Sequence, residues 1–97
     1  MFDKMKALMD MQRKMGEIKR ELENTNFEIA SSDGLVKIAM NGAQEVKNVA
    51  VQEGFKEIDK SVLEKAIEDA YNRAIKRARD IAAEKMKDMT GLNLPGL

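Results

Sequence analysis

Two long amphipathic stretches bracket a β-segment too small to cover them, and that mismatch limits what the chain can fold into. Residues 2–24 and 61–89 each carry an apolar stripe at helical spacing. At 1.5 Å per residue, unbroken helices over these ranges would run roughly 35 and 43 Å. The segment between them, about residues 26–52, holds three short runs, and a three-strand meander of that kind is only about 20–25 Å long and 10–15 Å wide. Such a sheet covers part of either helix. The uncovered stripe needs a partner, and a second copy of the chain is the obvious one. The expectation is an α+β domain over residues 1–97, ordered α-β-β-β-α, with a three-stranded antiparallel meander, two long helices and projecting helical arms.

In the first helix, Leu8, Met11, Met15, Ile18 and Leu22 recur at alternating steps of three and four. This is a heptad seam of about two repeats, enough for a helix pair and too short for a free-standing coiled coil. Phe2, Met5 and Met9 broaden the apolar surface, and its many methionines make that surface adaptable. Gly16 sits inside the helix, either to admit a neighbouring helix or as a tolerated weak point. Phe27 and Ile29 alternate with Glu28, and Ser31-Ser32-Asp33-Gly34 reads as a hairpin turn. Val36, Ile38 and Met40 form a half-buried strand, and Asn41-Gly42 is expected to supply the left-handed geometry of a tight turn. The third strand, Val46 to Val51, has a less regular period, which leaves its facing open.

Phe55 and Ile58 are the expected anchors of a polar connector. Ser61-x-x-Glu64 matches a capping box, with Asp59 as the alternative cap. The second helix places Leu63, Ile67, Ala70, Tyr71, Ala74, Ala78, Ile81 and Ala82 on one face. Ala66, Ala70, Ala74, Ala78 and Ala82 form a continuous row at i, i+4, small enough for close approach of a helix or sheet. The helix is expected to end near Thr90-Gly91, before a short tail at 91–97 containing Pro95-Gly96.

The composition removes whole classes of chemistry. With no His and no Cys, the chain has no disulfide, no thiolate or imidazole metal ligand, and no histidine base for a nucleophile. Glu17/Glu21 and Glu64/Glu68 are carboxylate pairs on helix surfaces with no apolar enclosure implied, and Gly34 and Gly42 are isolated turn glycines rather than a phosphate loop. No enzyme, cofactor or metal site is expected. No run approaches the length and hydropathy of a membrane span, and charges at Asp3, Lys4, Lys6 and Asp10 break up any secretory signal, so the expectation is a cytoplasmic protein.

Seventeen basic residues balance seventeen acidic ones, which argues mildly against a high-affinity electrostatic partner and leaves a local patch open. Asp3, Lys6, Asp10, Arg13, Glu17 and Arg20 alternate in sign, which fits a phosphate-contacting stripe or, more simply, a solvated face laced by ion pairs. Lys14 and Lys19 flank the heptad seam and point toward whatever groove the paired helices create. Arg73, Lys76, Arg77 and Arg79 form the densest basic cluster, with Asp69 and Asp80 near enough to partner Arg73 and Lys76. On a helical wheel, Lys65, Asn72, Lys76 and Arg79 share one flank, while Arg73 and Arg77 lie on another beside Asp80 and Glu84.

The run from Gly34 to Gly42 (GLVKIAMNG), continued by Glu45-Val46-Lys47-Asn48-Val49, resembles the central signature of the YbaB/EbfC family. Ala70-Tyr71-Asn72-Arg73-Ala74 resembles that family's second-helix motif, and Gly91-Leu92-Asn93-Leu94-Pro95-Gly96-Leu97 resembles its tail. A Met- and Lys-containing helix opening with Met1-Phe2 fits as well. The resemblance covers nearly the whole chain and departs at Gln52-Glu53-Gly54-Phe55, where many members carry Ile-Asp. It implies an intertwined homodimer whose sheets join and whose long helices project like tweezers. It also implies binding to double-stranded DNA in the cytoplasm and nucleoid, a chromosome-organising or gene-regulatory role, and no enzymatic activity.

From the charge pattern, the residues expected to contact DNA are Arg13, Lys14, Lys19, Arg20, Arg73, Lys76, Arg77 and Arg79. Those expected to serve packing or the dimer are Leu8, Met11, Met15, Ile18, Leu22, Val36, Ile38, Met40, Ala70, Ala74 and Ala78. Few side chains suited to reading base edges are concentrated anywhere, so low sequence specificity is expected. The competing expectation is a non-enzymatic scaffold that grips a protein partner with the Met-rich first helix.

Overall fold

Helix α1 (Phe2–Glu23) leads into strands β1 (Asn26–Ala30), β2 (Val36–Asn41) and β3 (Val46–Val51). A single 3-10 turn at Phe55–Glu57 then precedes helix α2 (Lys60–Thr90). The computed structural model describes residues 2–90, without the side chains of Phe2, Phe55, Met89 and Thr90. The expected anchor Phe55, the expected stop at Gly91 and the tail at 91–97 therefore lie outside the described side chains or residues. The strands form one antiparallel sheet in the order β1-β2-β3. This is the α-β-β-β-α order read from the sequence.

The alternation in β2 sorts its side chains. Val36, Ile38 and Met40 are buried toward α2, while Lys37 is exposed on the other face and lies 4.0 Å from Glu28 of β1. No Gly or Pro interrupts α2, and its alanines favour helix. Ala66, Ala70, Ala74 and Ala78 are all buried against Val36, Ile38 and Met40, with Phe27, Ile29, Leu35, Leu63 and Ile75 packed around them. A row without long side chains lets the helix axis settle close to the sheet. Each fully buried Val, Ile or Met contributes about 1.5–3 kcal/mol. Ile67 and Tyr71, read from the wheel as part of this inward face, are instead 42% and 41% exposed. Helix α2 lies across β2 and β1, so these two side chains overhang the uncovered strand β3.

Strand β3 carries a bulge that explains its irregular period. Ala39 faces Asn48 and Met40 faces Val46, leaving Lys47 as the extra residue. The bulge brings Val46 into register with the buried face of β2, as Val49 and Val51 are, and all three stay exposed.

The β2–β3 turn is stitched to the end of α1. Asn41 is fully buried, and its side chain uses all of its hydrogen-bonding capacity. Its Nδ2 donates to the Glu23 carbonyl at 3.1 Å and to Glu45 Oε1 at 2.8 Å, and its Oδ1 accepts from the Ala43 and Glu45 N–H groups at 3.0 Å each. The Gly42 N–H donates to the carbonyls of Leu22 and Thr25, both at 2.9 Å. The last carbonyls of a helix lack partners within it, and here the turn supplies donors to two of them. Gly42 is not the left-handed residue of the turn. That residue is Gln44, at φ 66°. Glycine at 42 answers a close approach instead, since a Cβ there would lie 3.0 Å from Leu22 Cδ2 and 3.1 Å from its carbonyl oxygen. In the β1–β2 turn, Gly34 does take the left-handed conformation, at φ 76°.

The second helix begins one residue before the expected capping box. Leu63 N–H bonds the Asp59 carbonyl at 3.0 Å, and Ser61 Oγ donates to Asp59 Oδ2 at 2.8 Å, so Asp59 holds the cap position and Ser61 lies within the first turn. The two helices project beyond the sheet and give the chain extents of 66 × 26 × 16 Å. Gly16 has nothing within 4 Å of a Cβ position, so within one chain no helix approaches it.

Two substitutions test the turn in opposite directions. Asn41→Ala strands the Glu23 carbonyl and two N–H groups and is expected to cost about 2–4 kcal/mol. Gln44→Gly relieves a left-handed non-glycine residue and is expected to gain up to about 1 kcal/mol. Urea midpoints with an unchanged slope are the measurement.

Candidate nucleic-acid interface

Seating the alanine row on the sheet turns the opposite side of α2 outward. Lys65, Asn72, Lys76 and Arg79 are all exposed along that ridge. Arg73 and Arg77 stand on the flank above β1, where Asp69, Arg73, Lys76, Arg77 and Asp80 line a shallow groove with Ile29 at its floor.

The charges within this cluster are not equivalent. Arg73 Nε lies 3.1 and 3.2 Å from the two oxygens of Asp69. Asp69 Oδ2 also accepts the Ser32 N–H at 2.8 Å, which ties α2 to the β1–β2 turn. The Ser32 N–H, and after it the Arg73 guanidinium, hold the Asp69 carboxyl below the ordinary carboxylate value. Within the turn, Asp33 is lowered first by the Ser31 hydroxyl and then by the Leu35 N–H. Arg73 is therefore committed to a structural tie. Among the described residues, Lys65, Lys76, Arg77 and Arg79 make no ion pair, leaving four free cations on the outer half of one helix.

The basic residues of α1 are more dispersed. Arg13 lies 3.7 Å from Asp10 and is partly offset by it. Lys14 stands at the rim of a groove formed by Ala7, Asp10, Met11, Met15, Ile18 and Met86. Lys19 is exposed, and Arg20 shares a mixed-charge recess with Glu17, Glu21 and Lys85. Lys85, not singled out from the sequence, reaches Glu21 at 3.6 Å and links the two arms. Of the α1 seam, Ile18 is buried and Leu22 half-buried, while Leu8, Met11 and Met15 remain 61%, 63% and 50% exposed.

A second surface was hidden in the sequence by the β3 bulge. Val46, Val49, Ile67 and Tyr71, with Ile38 at the base, line an apolar groove edged by Glu64, Glu68 and Asn72. The signal for it was the valine spacing of three and then two, which only the extra Lys47 makes consistent with one face. Among the described residues no helix is long and apolar enough to cross a membrane, and no group of carboxylates is placed to hold a metal ion.

The model of the YbaB/EbfC DNA-binding family matches residues 1–93. The chain is 40% identical over 96 residues to a nucleoid-associated protein of Dictyoglomus turgidum, covering 97% of this chain and 92% of that protein. It is 38% identical over the same length, with the same coverage, to a nucleoid-associated protein of Dictyoglomus thermophilum. The crystal structure of an uncharacterized protein, HP0035, from Helicobacter pylori shares the fold, with a TM-score of 0.78 at 20% identity over 93% of this chain and 97% of that one.

The Asp69 tie should be visible as a pH effect. Because its carboxyl is lowered in the folded state, its stabilisation is complete above the unfolded carboxylate value of about 3.9 and is lost as pH falls through the lower folded value. Asp69→Ala is expected to be less stable than the parent chain at neutral pH. The gap between the two should close progressively below about pH 4 in urea melts across that range.

Proposed function

The chain belongs to the YbaB/EbfC DNA-binding family, and from that membership we propose that two copies form a homodimer that binds double-stranded DNA through the outer side of α2. The observation that carries this reading is the unpaired cluster of Lys65, Lys76, Arg77 and Arg79 on a rigid helix, with Lys65, Lys76 and Arg79 on the side away from the sheet and Arg77 on the adjoining flank. Phosphates of a duplex are recognised by such cations through release of condensed counterions. Lys14, Lys19 and Arg20, on the neighbouring arm, add further phosphate contacts, whereas Arg13 and Arg73 are engaged by Asp10 and Asp69. Asn72 is the only side-chain amide on α2, so base-edge readout is sparse and sequence discrimination is low. This fits a role in organising the chromosome or modulating expression, and the Dictyoglomus relatives are named nucleoid-associated proteins.

Two observations support self-association. The chain exposes 7673 Å², against about 5,600 Å² for a compact protein of its mass. That excess accompanies the elongated shape and the exposed Leu8, Met11 and Met15 stripe of α1. The Val46–Val49–Ile67–Tyr71 groove is apolar, is next to the buried core and belongs partly to an edge strand. A second copy related by a two-fold axis covers that groove with its own equivalent, and it doubles the basic cluster without changing net charge. No reaction is assigned to the protein. The exposed Met5, Leu8, Met9, Met11 and Met15 favour a second reading, in which the arm also grips a protein partner.

Replacing Lys76, Arg77 and Arg79 together with Gln should weaken DNA binding and flatten the log affinity against log salt slope by about 3 per bound protomer, with the solution mass unchanged. Unchanged affinity at low salt would move the interface elsewhere. Val49→Asp, at a position exposed within one chain, should leave the far-ultraviolet circular dichroism intact. It should weaken the dimer by more than about 100-fold in sedimentation equilibrium, because the charge would be buried twice across the two-fold axis.

A further inference from the structure

The turn that closes α1 joins the residue pair Asn41-Gly42, and the fold requires both members for separate reasons. Asn41 serves through its four hydrogen bonds, and Gly42 because a Cβ there would press on Leu22, 3.0 Å from its Cδ2 and 3.1 Å from its carbonyl oxygen. Chemically, an asparagine followed by glycine is the pair most prone to intramolecular attack, since nothing hinders the glycine nitrogen from reaching the side-chain carbonyl. From this conjunction we infer that Asn41 is a latent deamidation site, held closed by the α1 clip, and that its reaction releases the α1 arm irreversibly.

In the reaction the Gly42 nitrogen, having lost its proton, attacks Asn41 Cγ. The N–Cγ bond forms, the Cγ–Nδ2 bond breaks, and ammonia leaves with the proton. Water then opens the succinimide ring at either carbonyl, giving aspartate or isoaspartate at position 41. The net change is one water consumed and one ammonia released, with no oxidant or cofactor. In the closed clip both reacting groups are engaged. The Gly42 N–H donates to Leu22 and Thr25 at 2.9 Å each, and the Asn41 amide is fully buried with both ends hydrogen-bonded. Attack requires the turn to leave α1 first, so the reaction follows local opening rather than exposure of the sequence.

The product cannot reclose the clip. A carboxylate at position 41 has no hydrogen to give to the Glu23 carbonyl, and the partner that lay 2.8 Å from Nδ2 is the Glu45 carboxylate, now a like charge. The negative end of the α1 dipole adds to the repulsion. Isoaspartate also lengthens the main chain by one methylene at the point where the turn meets Leu22. The Val36–Ile38–Met40 layer against α2 is untouched, so the arm detaches while the sheet and α2 stay folded.

The test uses the full chain, held in mildly alkaline buffer at physiological temperature with and without denaturing urea, and followed by intact mass, peptide mapping and isoaspartate-specific methyl transfer. The native chain is expected to react at Asn41 more than about tenfold slower than the unfolded chain. Equal rates would overturn the inference. Glu45→Ala, which removes one Nδ2 acceptor, should accelerate the native reaction more than an equally destabilising Ile38→Val change in the core, and equal acceleration by both would overturn local gating. Deamidated chains separated by charge should lose hydrogen-exchange protection over α1 and keep it over β2 and α2. Retained protection at Ile18 to Glu23 would overturn the release of the arm.

Discussion

The structure depends on how a helix that leaves the sheet is closed at its inner end. The carbonyls of Leu22 and Glu23 have no partner within α1, and the β2–β3 turn packs against them. Gly42 and Asn41 answer both. The same side chain orders the turn from within, through Ala43 and Glu45, so the hairpin and the helix terminus are one hydrogen-bonded unit. A polar group this deeply buried is tolerable only because every donor and acceptor on it is used. The helix cannot be re-aimed without breaking the hairpin, and this fixes the direction in which the arm projects.

The alanine row does comparable service on the other helix. By keeping α2 low on β1 and β2, it commits one side of that helix to packing and leaves the opposite side free of structural duty. The cations there are not needed to hold the fold together, unlike Arg73 on the β1 flank, whose carboxylate partner is bound to the Ser32 N–H. The offset of α2 from β3 has the complementary result, leaving valines bare beside Ile67 and Tyr71. Charge outward and apolar surface sideways therefore follow from one packing choice, and both halves of the functional proposal rest on it.

The element order, the alternation in β2 and the alanine row were legible because each is written at the period of its own structure. What escaped reading depended on something the period does not carry. The Lys47 bulge shifts the valines by one and hides their common face. The glycine at 42 answers Leu22, twenty residues away, rather than its own backbone angles, while the left-handed position falls to Gln44, a residue with no reputation for it. Spacing placed Asp69 and Asp80 near enough to partner Arg73 and Lys76 alike, and the structure engages Arg73 with Asp69, itself tied to the Ser32 N–H, while Lys76 stays free. Ile67 and Tyr71 were misassigned because a wheel locates a face but not how far the sheet beneath it extends.

Gly16 gives this design an unexpected grain. Every described side chain from Asp3 to Gly16 is exposed, whereas the turn and a half beyond it is anchored by Ile18, Leu22 and the clipped terminus. A stretch of about fourteen residues is near the lower limit at which a helix persists in water by itself, and a glycine at its base subtracts up to about 1 kcal/mol more. The outer arm thus sits close to the balance point between coil and helix. Whatever it touches has only a small free-energy difference to overcome in setting its shape, so the reach of the arm is decided on contact rather than built in advance.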